Sequence, residues 1–107
     1  MALSSNEELA NTVRNPEAER LERLTCAFEL RLSHTEESLA LLIELAKMSE
    51  LPDELSDEVG RSLANVARRL SKVDGVYDPD SYQFTPAAFD AFDQEANILK
   101  TVDSRGR

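Results

Sequence analysis

Few side chains of the 107-residue chain could carry out covalent chemistry, because Cys26 and His34 each occur once. Nucleophilic catalysis needs a base beside a cysteine or serine, and a backbone loop that stabilises an oxyanion. One histidine and three glycines supply neither arrangement. On a helix, Cys26 and His34 would point in directions about 80° apart. We therefore expect no catalytic residue and no cofactor, and Cys26 is predicted to be a small packed residue.

Metal binding has equally little support in the sequence. His34 has no acidic residue three positions before it, so the Glu-x-x-His pair of a di-iron bundle is missing. Asp74, Asp78 and Asp80 together suggest a calcium loop, but their spacing lacks the closing Glu of an EF-hand. These aspartates are more typical of turn chemistry. The prediction is that the chain has no metal site.

An alternative hypothesis is a phosphotransfer or ligand-binding signalling bundle centred on His34. A lone histidine on a long helix of a small bundle resembles the histidine phosphotransfer domains. The resemblance implies a cationic or amide side chain about three residues after the histidine, followed by a small residue. Here Glu36 and Glu37 follow, with Ser38 as the small residue. A carboxylate repels a developing phosphohistidine, so an exposed polar role is favoured for His34.

Composition restricts the classes of partner. The chain is 41% hydrophobic and 31% charged, and its net charge of −9 would repel nucleic acids and anionic membranes. Arg61, Arg68 and Lys72 share one side of a predicted helix, but Asp57 and Glu58 lie within helical reach of Arg61. We predict no nucleic-acid partner and no membrane partner. A basic protein partner is compatible with this charge.

A cytoplasmic location is expected. A single cysteine excludes an intrachain disulfide and implies no oxidising compartment. The first residues lack the basic start and apolar core of a signal peptide. The longest uninterrupted apolar run, residues 39–43, is far shorter than the ~20 residues that span a bilayer.

The longest predicted element is a helix over residues 15–49, on which the other segments are expected to pack. Asn15 is a good N-cap, Pro16 suits the first helical position, and no glycine follows within the segment. Apolar residues recur at steps of three and four that average close to 3.6, which predicts a fairly straight amphipathic helix. The stripe contains Leu21, Leu24, Phe28, Leu32, Thr35, Leu39, Leu42, Ile43 and Ala46.

A break in this helix is the alternative that the pattern leaves open. Residues 33–38 form a polar patch, and Ser33 with Glu36 is itself a capping-box pattern. No glycine or proline supports a break, and the stripe keeps its phase from Leu32 to Leu39. The sequence favours a continuous helix.

The remaining segments predict a small all-α antiparallel bundle of three main helices plus a short N-terminal helix. Pro52 ends the long helix, and acidic residues then open the next helix while basic residues close it. The predicted single domain, residues 1–107, comprises a weakly ordered N-terminal segment (1–14), the long helix (15–49), a second helix (53–73), a loop (76–84), a last helix (85–101) and a fraying tail (102–107).

Helix lengths lead to a prediction about assembly. The second helix is too short to cover the first half of the long one, which leaves Leu21, Leu24, Phe28 and Leu32 with little cover. The simplest cover is a second copy packed two-fold on the same residues. We therefore predict a homodimer through these four residues. The expected function is that of a small non-enzymatic protein–protein interaction or regulatory module.

Overall fold

All regular secondary structure over residues 4–78 and 80–105, the part of the chain that the computed structural model describes, is helical. Side chains are described for these residues except residues 80 and 102–105. The all-α prediction is confirmed over this part of the chain. The elements are α1 (Ser5–Arg14), α2 (Arg20–Glu29), the 3₁₀ turn η1 (Leu30–Leu32), α3 (Glu36–Ala46), α4 (Asp53–Arg69), α5 (Val73–Tyr77), the 3₁₀ turn η2 (Asp80–Gln83) and α6 (Pro86–Arg105).

Residues 15–49 do not form one long helix, so the predicted arrangement of three main helices is wrong in detail. The segment contains α2, η1 and α3, separated by non-helical residues. A straight helix over residues 15–49 would span about 50 Å, whereas the longest extent of the molecule is 43 Å. Breaking the segment lets both halves contact α1 and α4.

The predicted start of the long helix at Asn15 is wrong, because Asn15 ends α1 instead. Its backbone N–H donates to the carbonyl of Thr12 at 3.2 Å, as a C-terminal cap does. Its side-chain oxygen accepts from the backbone N–H of Glu17 at 2.9 Å, which closes an Asx turn. The next helix begins five residues later at Arg20. Glu19 is its N-cap residue and forms no side-chain capping hydrogen bond.

A second break lies at residues 33–35, within the patch that the sequence left open as an alternative. Thr35 is the N-cap of α3, and its hydroxyl accepts from the backbone N–H of Ser38 at 3.1 Å. The Ser38 hydroxyl accepts in turn from the backbone N–H of Thr35 at 3.2 Å, which completes a capping box. It also donates to the Ser33 carbonyl. Ser38 is fully buried, so its local hydrogen bonds determine where α3 begins.

The described part of the N-terminal segment is docked, which differs from the predicted weak order. Its N-cap is Ser4, whose hydroxyl accepts from the backbone N–H of Glu7 at 3.1 Å. Ala10 and Val13 are fully buried against α2 and α3. Arg23 of α2 donates two hydrogen bonds, at 2.9 and 2.8 Å, to the Val13 carbonyl at the end of α1. These contacts stabilise a helix that would be marginal alone.

α4 ends at Arg69 rather than at residue 73, and a Schellman motif ends it. Ser71 has the left-handed φ of 58°. The backbone N–H of Lys72 donates to the carbonyl of Ala67 at 2.8 Å, and that of Ser71 donates to the carbonyl of Arg68 at 3.2 Å. Gly75 ends no helix and lies within α5.

The segment predicted as a loop over residues 76–84 is partly helical. α5 extends into it as far as Tyr77, and η2 occupies residues 80–83. α6 begins at Pro86 as its cap-plus-proline pattern predicts, and the Thr85 hydroxyl accepts from the backbone N–H of Ala88 at 3.3 Å. α6 continues to Arg105, past the predicted end at residue 101. Residues 106–107 of the predicted tail lie outside the described residues.

The buried apolar side chains form one core around α4. α4 contacts α6 more extensively than any other pair of elements contacts each other, and it also packs on α2 and α3. Val59, Leu63, Val66 and Ala67 of α4 are completely buried, as is Phe92 of α6. Over the described residues, no helix is both long and apolar enough to cross a membrane.

Candidate partner-binding face

Three large apolar side chains lie exposed along one face of α2 and η1, and we call them the apolar row. Leu21 is 69% exposed, Phe28 44% and Leu32 64%. Leu21 and Phe28 are seven residues apart on α2, which places them within about 20° of each other around the helix. Leu32 follows about one turn later, at the end of η1. Three neighbouring exposed apolar side chains on one face differ from the single exposed residues that are normal on protein surfaces.

The buried side of α2 is not the side that the predicted stripe indicates. Ala27 and Leu30 are fully buried, and Leu30 is only two residues from the exposed Leu32. Leu24, the fourth residue of the predicted interface, is half-buried and packs against the core. The structure therefore places Leu21, Phe28 and Leu32 on the surface and Leu24 below them. Whether a partner covers them stays a prediction.

An open groove of about 420 Å³ runs beside the apolar row, between α2 and the first turns of α4. Leu24, Thr25 and Phe28 form one wall of this groove. The opposite wall is acidic and consists of Glu54, Asp57 and Glu58. A smaller cavity of about 110 Å³ adjoins it and shares Leu24 and Glu54 in its lining.

Each carboxylate of the acidic wall has an arginine partner within the chain. Arg20 donates to Glu54, and both side chains are more than half exposed. Arg31 Nη2 lies 3.0 Å from Glu58 Oε1, and Arg61 Nε lies 2.9 Å from Asp57 Oδ2. The hydrogen bond and charge of Glu54 raise the pKa of Arg20. An exposed pair such as Arg20–Glu54 contributes little to stability.

Arg31 connects the apolar row to the core. Its guanidinium carbon lies 4.5 Å from the centre of the Phe28 ring, a cation–π contact. Its Nε donates to the Ser62 hydroxyl at 3.1 Å, and that hydroxyl donates to the Ala27 carbonyl at 2.7 Å. Ser62 is completely buried on α4. These hydrogen bonds hold the Arg31 guanidinium against the Phe28 ring at the edge of the groove.

The other side of the apolar row carries Glu22 and Glu29. Both side chains are exposed, and they lie about 80° to 100° around the helix from Leu21. Neither forms an ion pair with another described residue. The apolar row is thus bordered by carboxylates along both of its edges.

Sequence reasoning did not assign the acidic wall to a site. In the sequence, Glu54, Asp57 and Glu58 are among the acidic residues that open the second predicted helix and complement its dipole. Their spacing of three and four residues places them on one helical face, which is the signal that could have indicated a shared surface. Only the packing of α2 on α4 brings that surface beside Phe28.

His34 and Cys26 are placed apart from any cluster of reactive groups. His34 is exposed in the non-helical segment 33–35, whereas the phosphotransfer alternative expected it on a helix. Cys26 is half-buried on α2 and contacts Thr12 of α1, and burial raises the pKa of its thiol. Among the described residues, no group of three His, Cys, Asp or Glu side chains is placed to hold a metal ion.

The basic stripe on α4 is engaged with acidic residues of neighbouring elements. Arg61 contacts Glu95 of α6 at 3.3 Å in addition to Asp57. Lys72 lies 3.0 Å from Glu36 of α3. The Arg61–Glu95 pair connects α4 to α6, and the Lys72–Glu36 pair connects the end of α4 to α3. Part of the basic stripe therefore contributes to contacts between helices.

A second surface groove, of about 520 Å³, lies where the sequence predicted a loop. Its lining includes Tyr77, Tyr82, Phe84 and Phe89. Tyr77 donates to Asp93 of α6 at 2.6 Å and packs edge-on against Phe89 and Phe92. A loop over residues 76–84, as the sequence predicts, gives no indication of this groove.

The chain matches no protein-family model, no curated protein and no solved structure at a significant level.

Proposed function

We propose that this protein is a small non-enzymatic interaction module that binds another polypeptide through the apolar row on α2 and η1. The observation that supports this proposal is the exposure of Leu21, Phe28 and Leu32 on one face. Removing apolar side chains from water is the main favourable contribution to most protein associations. The adjoining groove between α2 and α4 supplies depth for side chains of a partner.

The rigidity of this face also supports the proposal. α2 is held by Arg23 to the end of α1, and by the Arg31–Ser62–Ala27 hydrogen bonds to α4. A preorganised surface loses less conformational entropy on association than a flexible one. The homodimer predicted from the sequence would use this same face, and it stays one of the possible forms of the proposed interaction.

Site-specific photo-crosslinking tests the proposal. A photoreactive amino acid replaces Thr25, which is exposed between Leu21 and Phe28. The matched control carries the same group at Gln94, an exposed position on α6. We expect discrete adducts from position 25 in an extract of the native host, and their loss when Leu21→Ser and Leu32→Ser are added. Equal adduct patterns from the two positions would contradict the proposal.

A further inference from the structure

We infer that the occupant of the apolar row is an amphipathic helix whose apolar stripe is flanked by Lys and Arg side chains. This inference rests on the proposed function, because it names the partner of the same face. Helices that lie in apolar grooves use anchors at helical spacing. The apolar row offers the complementary arrangement, with Leu21, Phe28 and Leu32 along about 16 Å of helix, which equals about three turns of a partner.

Charge is the property that selects this partner. Glu22 and Glu29 border the apolar row on one side, and the acidic wall of Glu54, Asp57 and Glu58 borders it on the other. Five carboxylates thus face three guanidinium groups, those of Arg20, Arg31 and Arg61. A helix that places basic residues on both sides of an apolar stripe complements both edges at once.

The carboxylates that have no ion pair with another described residue lie on the outer edge. Glu22 and Glu29 are seven residues apart on α2 and form no ion pair with other described residues. On the inner edge, the exposed Arg20–Glu54 pair can exchange for a partner's cation at little cost. Arg31 is less exposed and holds Phe28, so it is expected to keep its contacts during binding.

A second copy of this chain is a poorer occupant of the apolar row. If two α2 helices pack antiparallel about a two-fold axis, equivalent edges face each other. Glu22 and Glu29 of one copy would then meet the same residues of the other. In a parallel arrangement, these glutamates would meet the acidic wall of the other copy, whose carboxylates are each paired with an arginine. Like charges oppose each other in the antiparallel arrangement, and the net charge of −9 disfavours both arrangements.

The test uses a displayed library of helical peptides with an apolar stripe and randomised flanking positions. The full-length protein is the target, and selected peptides are then measured by fluorescence anisotropy at low and physiological salt. We expect Lys and Arg to be enriched on both flanks. Affinity should fall with salt, because exposed charges are screened within about 10 Å at 0.1 M.

Matched variants separate the apolar and the charged contributions. Glu22→Gln with Glu29→Gln should weaken a selected basic peptide roughly fivefold, whereas Glu8→Gln on the exposed face of α1 should not change its affinity. Leu21→Ser with Leu32→Ser should weaken it more than tenfold. Ile98→Ser on α6, where the side chain is 52% exposed, is the apolar control and should have no effect.

The other outcomes distinguish this inference from the proposed function. Selection of acidic or neutral peptides that lose affinity with Leu21→Ser and Leu32→Ser would overturn the basic partner and retain the interaction face. Sedimentation could instead show self-association that prevents peptide binding and needs the same two leucines. That result would also overturn the basic partner and retain the interaction face, with a second copy as the occupant. Failure to enrich any peptide overturns the inference. Peptides that bind equally well without the two leucines overturn both statements.

Discussion

Gly60 of α4 packs directly against the backbone carbonyl of Ala88 in α6. A Cβ atom at Gly60 would overlap that oxygen and would lie 3.0 Å from both the Ala91 Cβ and the Phe92 backbone nitrogen. The most extensive helix–helix contact of the protein is therefore close because residue 60 has no side chain. The two helices could accept a methyl group there only by moving apart.

Gly60→Ala is predicted to destabilise the protein by about 2 kcal/mol, because overpacking forces a backbone shift. Gly75→Ala is the matched control, since a Cβ there meets nothing within 4 Å. The control should be neutral or stabilising by up to about 1 kcal/mol, because alanine is the better helix former. Urea unfolding measures both changes, and equal effects of the two substitutions would contradict the close contact.

Ser71→Gly is predicted to stabilise the protein by about 1 kcal/mol. Ser71 has a φ of 58° in the Schellman motif that ends α4. A left-handed conformation costs an L-residue with a Cβ roughly 1 to 2 kcal/mol, and glycine avoids this cost. Ser71→Ala should bring no such gain, because it keeps the Cβ. Thermal unfolding compares the three proteins. A lower melting temperature for the glycine variant would contradict a left-handed conformation at residue 71.

Ser38→Ala is predicted to destabilise the protein by about 1 to 2 kcal/mol. The Ser38 hydroxyl caps α3 through Thr35 and satisfies the carbonyl of Ser33 inside the protein. Alanine at this position leaves the Ser33 acceptor without this donor. Ser49→Ala, in an exposed turn, is the control and should change stability by less than about 0.5 kcal/mol. Chemical denaturation of the two variants measures both changes, and equal effects would contradict this role of Ser38.

The contribution of Tyr77 to stability is predicted to disappear at alkaline pH. Burial, followed by the hydrogen bond to Asp93, raises the pKa of Tyr77 above its ordinary value of 10.0. Because the folded chain keeps the phenolic proton to higher pH than the unfolded chain, the free energy of unfolding falls as pH rises above about 10. The stabilisation is fully present below that pH and is lost as pH rises through the folded pKa.

The comparison of wild-type protein with Tyr77→Phe isolates this effect. At about pH 8 the variant should be less stable by about 1 kcal/mol, because Asp93 loses a donor. Above about pH 10 the two free energies of unfolding should converge. Denaturant titrations across this range provide the measurement. A difference that stays constant with pH would show that folding does not raise the pKa of Tyr77.

Periodicity and capping patterns predicted much of the helical content. The all-α class and the starts of α4 and α6 near Pro52 and Pro86 follow from local rules that tertiary packing did not override. The pattern also located three apolar residues that are exposed, Leu21, Phe28 and Leu32. The expectation that they lack cover rests on the length of a continuous helix over residues 15–49, and that helix does not form.

The error over residues 15–49 has a local physical cause. Asn15 can cap either end of a helix, and the sequence alone does not show which end a neighbour will stabilise. At Ser38 a capping box competed with a stripe that was in phase on both sides. The capping box prevailed because Ser38 is buried where the Ser33 carbonyl needs a donor.

The sequence by itself determined that the chain is helical and strongly acidic. It also determined that an apolar stripe begins within the first third of the chain. Tertiary structure decided which side of α2 became the core. Ala27 and Leu30 are buried, and the stripe containing Leu21 and Phe28 faces outward. A helical period is the same for a buried stripe and an exposed one, so it cannot distinguish them. The packing of α1 and α4 against α2 determines which side is buried. The same packing places the acidic wall beside Phe28.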